Sequence, residues 1–196
     1  MLKERFLDIE LEAGCDEAGA GCGFGPVVAA CVILPKDFNH TDIKDSKKLS
    51  AKKRELMYDL IIQNALYYSI KEVSNEVIDQ INILQSRFMA FDDAIKDLGV
   101  TPDHILIDGD KFIKDYPINY TCVVKGDSTF TSIAAASILA KVYRDRLMEN
   151  IPEEYKKWNI YNNKGYLTKE HINSIKLYGI SDLHRKTFCK KFTIKL

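Results

Sequence analysis

The chain has 196 residues, 46% of them hydrophobic and 29% charged, with a formal net charge of zero, which is enough to bury a single core without staples. No run approaches the 18 apolar residues of a membrane helix, and the N-terminal MLKERFLDIELE is too charged for a secretory leader, so one cytoplasmic domain spanning 1–196 is expected. The neutral total hides a split: residues 1–110 carry 12 Lys+Arg and 20 Asp+Glu, the remainder 16 and 8, a pattern that by itself describes two differently solvated faces.

Leu11 to Ala18 and the apolar run Val27 to Leu34 read as strands, the second of a kind buried on both faces. Ser50 is a candidate N-cap for a helix through AKKRELMYDLIIQNAL, and Tyr67 to Val73 returns as a strand. Leu84, Phe88, Phe91, Ile95 and Leu98 then repeat at helical spacing until Gly99. His104 to Asp108 and Tyr120 to Val124 are short strands around a polar loop. Ser132 to Met148 is a helix whose SIAAASILA half is small and apolar nearly all round, implying close packing on a sheet. After Pro152 a Tyr- and Lys-rich stretch leads to a last helix, Lys169 to Leu177, ended by Gly179. Strands mixed with helices predict an α/β layer trailed by a helical basic tail from about residue 150. The five cysteines, odd in number and without a CxxC pair, suit reduced thiols and argue against zinc.

Two features point to chemistry. The stretch CDEAGAGCGFGP, Cys15 to Pro26, is not a dinucleotide fingerprint, because Phe24 stands where GxGxxG needs its third glycine and no helix follows. Its glycines instead describe a sharp turn whose backbone a ligand can approach. The second feature is a set of acids at strand ends: Asp16 and Glu17, Asp108, and Asp127 just ahead of a helix. Singly, Asp127 equally complements a helix N-terminus and Asp108 with Gly109 equally closes a strand. Together they would repel one another unless a hard divalent cation neutralised them. Adjacent Asp16 and Glu17 project to opposite sides of a regular strand, so a shared site is expected to require the chain to leave the strand there.

These residues resemble the ribonuclease HII family. Asp16 to Leu34 is similar to the pattern DEAGRGCLAGPVVAAAVIL, and DSKKLS (Asp45 to Ser50), INIL (Ile81 to Leu84), LIDGD (Leu106 to Asp110), VVKGD (Val123 to Asp127), SIAAASILAKVYRD (Ser132 to Asp145), NKGYLTKEH (Asn163 to His171) and HRKTF (His184 to Phe188) follow in family order. The resemblance implies a ribonuclease H-like fold: a mixed five-stranded sheet flanked by helices, with a helical C-terminal region. It implies that Asp16, Glu17, Asp108 and Asp127 are catalytic and bind two Mg²⁺ or Mn²⁺ ions. The implied reaction is cleavage 5′ of ribonucleotides in RNA/DNA hybrids and in duplex DNA, by a monomer. Gly19, Ala20 and Gly21 would sense the ribose 2′-hydroxyl, Tyr166 would pack on the neighbouring sugar, and Lys47 would contact phosphate. His184 and Arg185 allow a structural or a phosphate-binding role, and Lys141, Arg144 and Asp145 an intrahelical pairing. Tyr155, Trp158, Tyr161 and Tyr166 suit packing beneath the tail or stacking on bases.

The chain departs from the pattern where Ala20 replaces Arg, Gly23-Phe24 replaces Leu-Ala and Leu167 replaces Pro. A weakened grip on substrate is the expected consequence, and Phe24 is expected to fill core space in preference to offering a stacking surface for a base or sugar. The alternatives are ribonuclease HIII-like cleavage of hybrids, or a hybrid-binding protein that no longer cuts.

Overall fold

The computed structural model describes residues 2–38, 40–43 and 46–193. The five strands form, as β1 (Glu12–Ala18), β2 (Val27–Ile33), β3 (Tyr67–Val73), β4 (His104–Asp108) and β5 (Tyr120–Val123). They make one mixed sheet in the order β3-β2-β1-β4-β5. β2 is antiparallel to both β1 and β3, whereas β4 runs parallel to β1 and β5. The C-terminal ends of β1, β4 and β5 therefore share one edge of the sheet.

Helices cover both faces. Val28, Ala30 and Val32 of β2 pack under α1 (Ala51–Asn64) and α3 (Thr131–Glu149). Val27, Ala29, Cys31 and Ile33 face α2 (Asn75–Lys96). That two-sided alternation is why β2 is apolar at every position. The small residues of α3 let it lie close on β1. A Cβ at Gly14 would stand 2.3 Å from the Ser132 carbonyl carbon, so no larger residue fits this contact.

Ser50 caps α1 as expected, its side chain accepting from the Lys53 N–H. Ser74 does the same for α2, which begins well before the apolar repeat. That helix is interrupted at Asn82 (φ 67°, ψ 165°). The Asn82 Oδ1 accepts from the N–H groups of Leu84 and Gln85, so it caps a second helical segment inside α2.

Two expectations fail. Cys15 and Cys31 are direct partners across β1 and β2, 4.2 Å apart at Cα, and form a disulfide, so only Cys22, Cys122 and Cys189 are free thiols. The loop between β4 and β5 is not merely polar: Phe112 is buried against Phe88, Phe91, Tyr116 and Tyr120.

Beyond Asn150 come a 3₁₀ turn (Glu153–Trp158), α4 (Ile160–Asn163), α5 (Lys169–Tyr178) and α6 (Lys186–Cys189). Tyr155, Trp158, Ile160, Ile175 and Cys189 form a separate apolar cluster around Phe24 and Met148, which gives Phe24 its expected core role. Among the described residues no helix is long and apolar enough to cross a membrane.

Candidate active site

The chain does not leave the strand at the acid pair. Asp16 and Glu17 both sit inside β1, opposite Ala30 and Ala29, and alternation sends them to different faces of the sheet. Asp16 points to the α3 side, toward Ser137, which works against the rise in its carboxyl pKa. Glu17 points to the α2 side and meets Arg87. Both remain within electrostatic reach of Asp108, which ends the neighbouring parallel strand β4.

Asp127 lies in the 3₁₀ turn Gly126–Ser128 after β5. The same turn donates the Gly126 N–H to Asp108 Oδ1 at 2.7 Å. Lys47 Nζ stands 3.5 Å from Asp127 Oδ2. Asp45, at the head of the DSKKLS motif, lies outside the described residues. The four acids thus come from three adjacent strand ends, and each is held by a different neighbour.

Their electrostatics are those of a site short of positive charge. Burial raises the Asp16 carboxyl well above the usual range, and Glu17 and Asp108 raise it further. Burial also raises Glu17, against the opposing pull of Arg87. Asp108 is raised chiefly by burial, with the Gly126 N–H working the other way and Asp127 adding to the rise. Such an all-oxygen set suits a hard divalent cation in its donor chemistry. Among the described residues, no three His, Cys, Asp or Glu side chains are yet gathered closely enough to hold one.

The glycine turn follows Ala18 directly. Gly19 has φ 90°, and a Cβ there would fall 2.0 Å from Arg144 Nε, so this position admits only glycine. Two buried arginines fix the turn by its carbonyls. Arg144 donates to Pro26, Lys164 and Phe24 oxygens, and Arg185 donates to Gly25 and Ala20 oxygens. Arg144 therefore does not join the intrahelical pairing expected of it; Lys141 and Asp145 pair without it at 2.6 Å. Gly21 is exposed and Ala20 half-buried.

Tyr166 is brought to the same turn. The Gly23 N–H donates to Gly165 O, and the exposed Tyr166 lies beside Cys22, whose Sγ donates to Lys164 O. Of the expected aromatic cluster, Tyr155 and Trp158 are core, whereas Tyr161 and Tyr166 are exposed. Behind Tyr166 runs a buried histidine chain. The Ser181 N–H donates to His184 Nδ1, His184 Nε2 lies 3.0 Å from His171 Nε2, and His171 Nδ1 lies 2.9 Å from Tyr166 O. Since His184 Nδ1 accepts, a neutral His184 carries its proton on Nε2, and His171 in turn donates from Nδ1 to Tyr166.

Sequence reasoning overlooked Arg87. Its only signal was a guanidinium within the apolar repeat of a helix, and nothing in the chain's linear order connects residue 87 with residue 17.

Comparison with known proteins adds four findings. The family model described as Ribonuclease HII matches residues 13–191. The Ribonuclease HII of Parabacteroides distasonis is 51% identical over 178 residues, covering 91% of this chain and 89% of that protein. Among solved structures, a PCNA:RNase HII complex from Archaeoglobus fulgidus contains a chain that aligns with TM-score 0.78 and 25% identity, over 95% of this chain and 98% of that one. The ribonuclease H2 of Pyrococcus horikoshii aligns with TM-score 0.76 and 26% identity, over 92% and 96%.

Proposed function

The chain belongs to the ribonuclease HII family, and from that premise we infer that its four strand-end acids are the catalytic centre of a metal-dependent endoribonuclease. The bond hydrolysed is the phosphodiester on the 5′ side of a ribonucleotide, in an RNA/DNA hybrid or singly embedded in duplex DNA, with 3′-hydroxyl and 5′-phosphate products. The setting is a cytoplasmic monomer engaged in ribonucleotide removal. One observation carries the assignment of residues: the ends of β1, β4 and β5 deliver four carboxylates to one edge, beside a turn whose backbone is pinned.

Asp16, Glu17, Asp108 and Asp127 would hold two Mg²⁺ or Mn²⁺ ions, which when bound neutralise the acids, activate water and steady the departing 3′ oxygen. The chain's own residues supply the geometry. Asp16 is fixed by the Glu17 N–H at 2.7 Å and Asp108 by the Gly126 N–H, so their remaining lone pairs face a set direction. The backbone of Gly19, Ala20 and Gly21 reads the ribose 2′-hydroxyl, the group that separates RNA from DNA. Arg144 and Arg185 keep that backbone rigid from behind. Tyr166 lays its exposed ring on the sugar beside the cut, and Lys47 contacts phosphate.

Ala20 ends at its Cβ and offers phosphate nothing, so substrate grip is weaker than an Arg would give. The anchored Ala20 carbonyl nevertheless preserves the turn, which favours recognition of an embedded ribonucleotide over ribonuclease HIII-like or non-cleaving behaviour. Asp127→Ala should lower cleavage of a ribonucleotide-containing duplex by at least about a hundredfold with an unchanged circular dichroism spectrum. Retention of more than about a tenth of the rate would contradict the role given to Asp127.

A further inference from the structure

Arg87 is the one strong cation that the α2 layer delivers to Glu17. Its Nη2 donates to Glu17 Oε2 at 2.9 Å, and its Nε lies 2.9 Å from Oε1. The planar fork therefore brings one nitrogen to each carboxylate oxygen, hydrogen-bonding through Nη2 while Nε makes a charge contact without a hydrogen bond, a placement lysine cannot reproduce. The pair is well shielded, with side chains 23% and 12% exposed. The same guanidinium extends toward the end of β4: a Cβ on Gly109, next to Asp108, would lie 3.5 Å from its Nη2. The break at Asn82 caps the segment of α2 on which Arg87 rides.

We propose that Arg87 is the built-in counter-ion of the acid cluster and the positioning residue of Glu17, so that a divalent cation must compete with a guanidinium for that carboxylate. The proposal rests on the reading of the cluster as a divalent-cation site. Two observations support it. Glu17 is turned to the α2 side of the sheet, where an Arg87 nitrogen stands 2.9 Å from each of its oxygens. Arg87 Nη2 also reaches the end of β4, 3.5 Å from where a Cβ on Gly109, the neighbour of Asp108, would lie. The cluster thus has the Arg87 guanidinium at Glu17 on the α2 side and the Lys47 ammonium at Asp127 at its other end. A cation at Asp16 and Asp108 relieves repulsion, whereas a cation shared with Glu17 displaces or confronts Arg87. The arrangement also places a guanidinium at the acids from a helix, in a chain whose glycine turn has Ala20.

The test is Mn²⁺ affinity of the full-length protein, read from the free-ion electron paramagnetic resonance signal at fixed ionic strength, for the native chain, Arg87→Met and Arg87→Lys. Arg87→Met removes the charge and keeps the length, and it should bind Mn²⁺ at least about tenfold more tightly than the native chain. Arg87→Lys keeps a charge without the fork and should fall between the two. A merely structural arginine would not tighten cation binding when removed. Unchanged or weaker Mn²⁺ binding by Arg87→Met overturns the proposal. Should that variant fail to fold, native-like or weaker binding by Arg87→Lys overturns it equally. Loss of affinity for a ribonucleotide-containing duplex, with Mn²⁺ affinity unchanged, also overturns it and makes Arg87 a phosphate contact. If the native chain binds no Mn²⁺, the cation-site reading itself falls; if it binds Mn²⁺ and Arg87 has no effect, only the role of Arg87 does.

Discussion

At Asp16 the requirements of folding and of the proposed catalytic role oppose each other. Burial, Glu17 and Asp108 all raise its carboxyl above the unfolded value. A group whose folded pKa is raised holds extra protons in the folded state, so its stabilising contribution is lost as pH rises through the folded value. At neutral pH an ionised Asp16 therefore costs stability, and Asp16→Asn should melt at least about 2 °C higher than the native chain in chelator. Excess Mn²⁺ should raise the melting temperature of the native chain more than that of the variant. An equal or lower melting temperature for the variant in chelator, measured by scanning calorimetry, would contradict this reading. The four acids were legible in sequence because each stands at the end of an apolar run. Arg87 was not, since its partner is set by the packing of α2 on β1 and not by any local spacing.

Between elements, the decisive contacts tie the C-terminal region to the glycine turn. Phe24 stacks edge-on against Tyr155 and His184, and the histidine chain from Ser181 ends on the Tyr166 carbonyl. Burial, aided by the neighbouring His171, lowers the His184 pKa to about 3. The unfolded chain takes up this proton near pH 6.5. The contribution of His184 to stability is therefore complete above that pH and is lost as pH falls toward about 3. Imidazole ¹⁵N spectra at pH 5 should find His184 neutral, with Nδ1 unprotonated and Nε2 protonated; a protonated Nδ1 at that pH would refute the chain. Strand and helix identities were readable from periodicity and caps. Cross-element facts were not: the Cys15–Cys31 disulfide follows from strand register, a pairing that a linear pattern does not encode. The same is true of Arg144, whose helical spacing suggested a neighbour on α3 and whose actual partners are carbonyls of the turn and of Lys164.

For the molecule as a whole, the two halves of the sequence meet at one edge of the sheet. The acidic half brings Asp16, Glu17 and Asp108 and the turn, and the basic half brings Asp127 and Tyr166. An acid cluster facing a phosphate backbone repels it unless cations intervene, and under the proposed function the basic residues of the second half would hold the duplex through contacts that weaken with salt. The family resemblance suggested this division of labour, and the weaker grip proposed at Ala20 belongs to the same reading. The most direct measurement is to incubate the native protein with Mg²⁺ or Mn²⁺ and an end-labelled DNA duplex carrying one ribonucleotide, and to map the ends produced. The account predicts a single cut on the 5′ side of the ribonucleotide, leaving a 3′-hydroxyl and a 5′-phosphate. An uncut duplex, or cutting on the 3′ side or at deoxyribonucleotides, would contradict it.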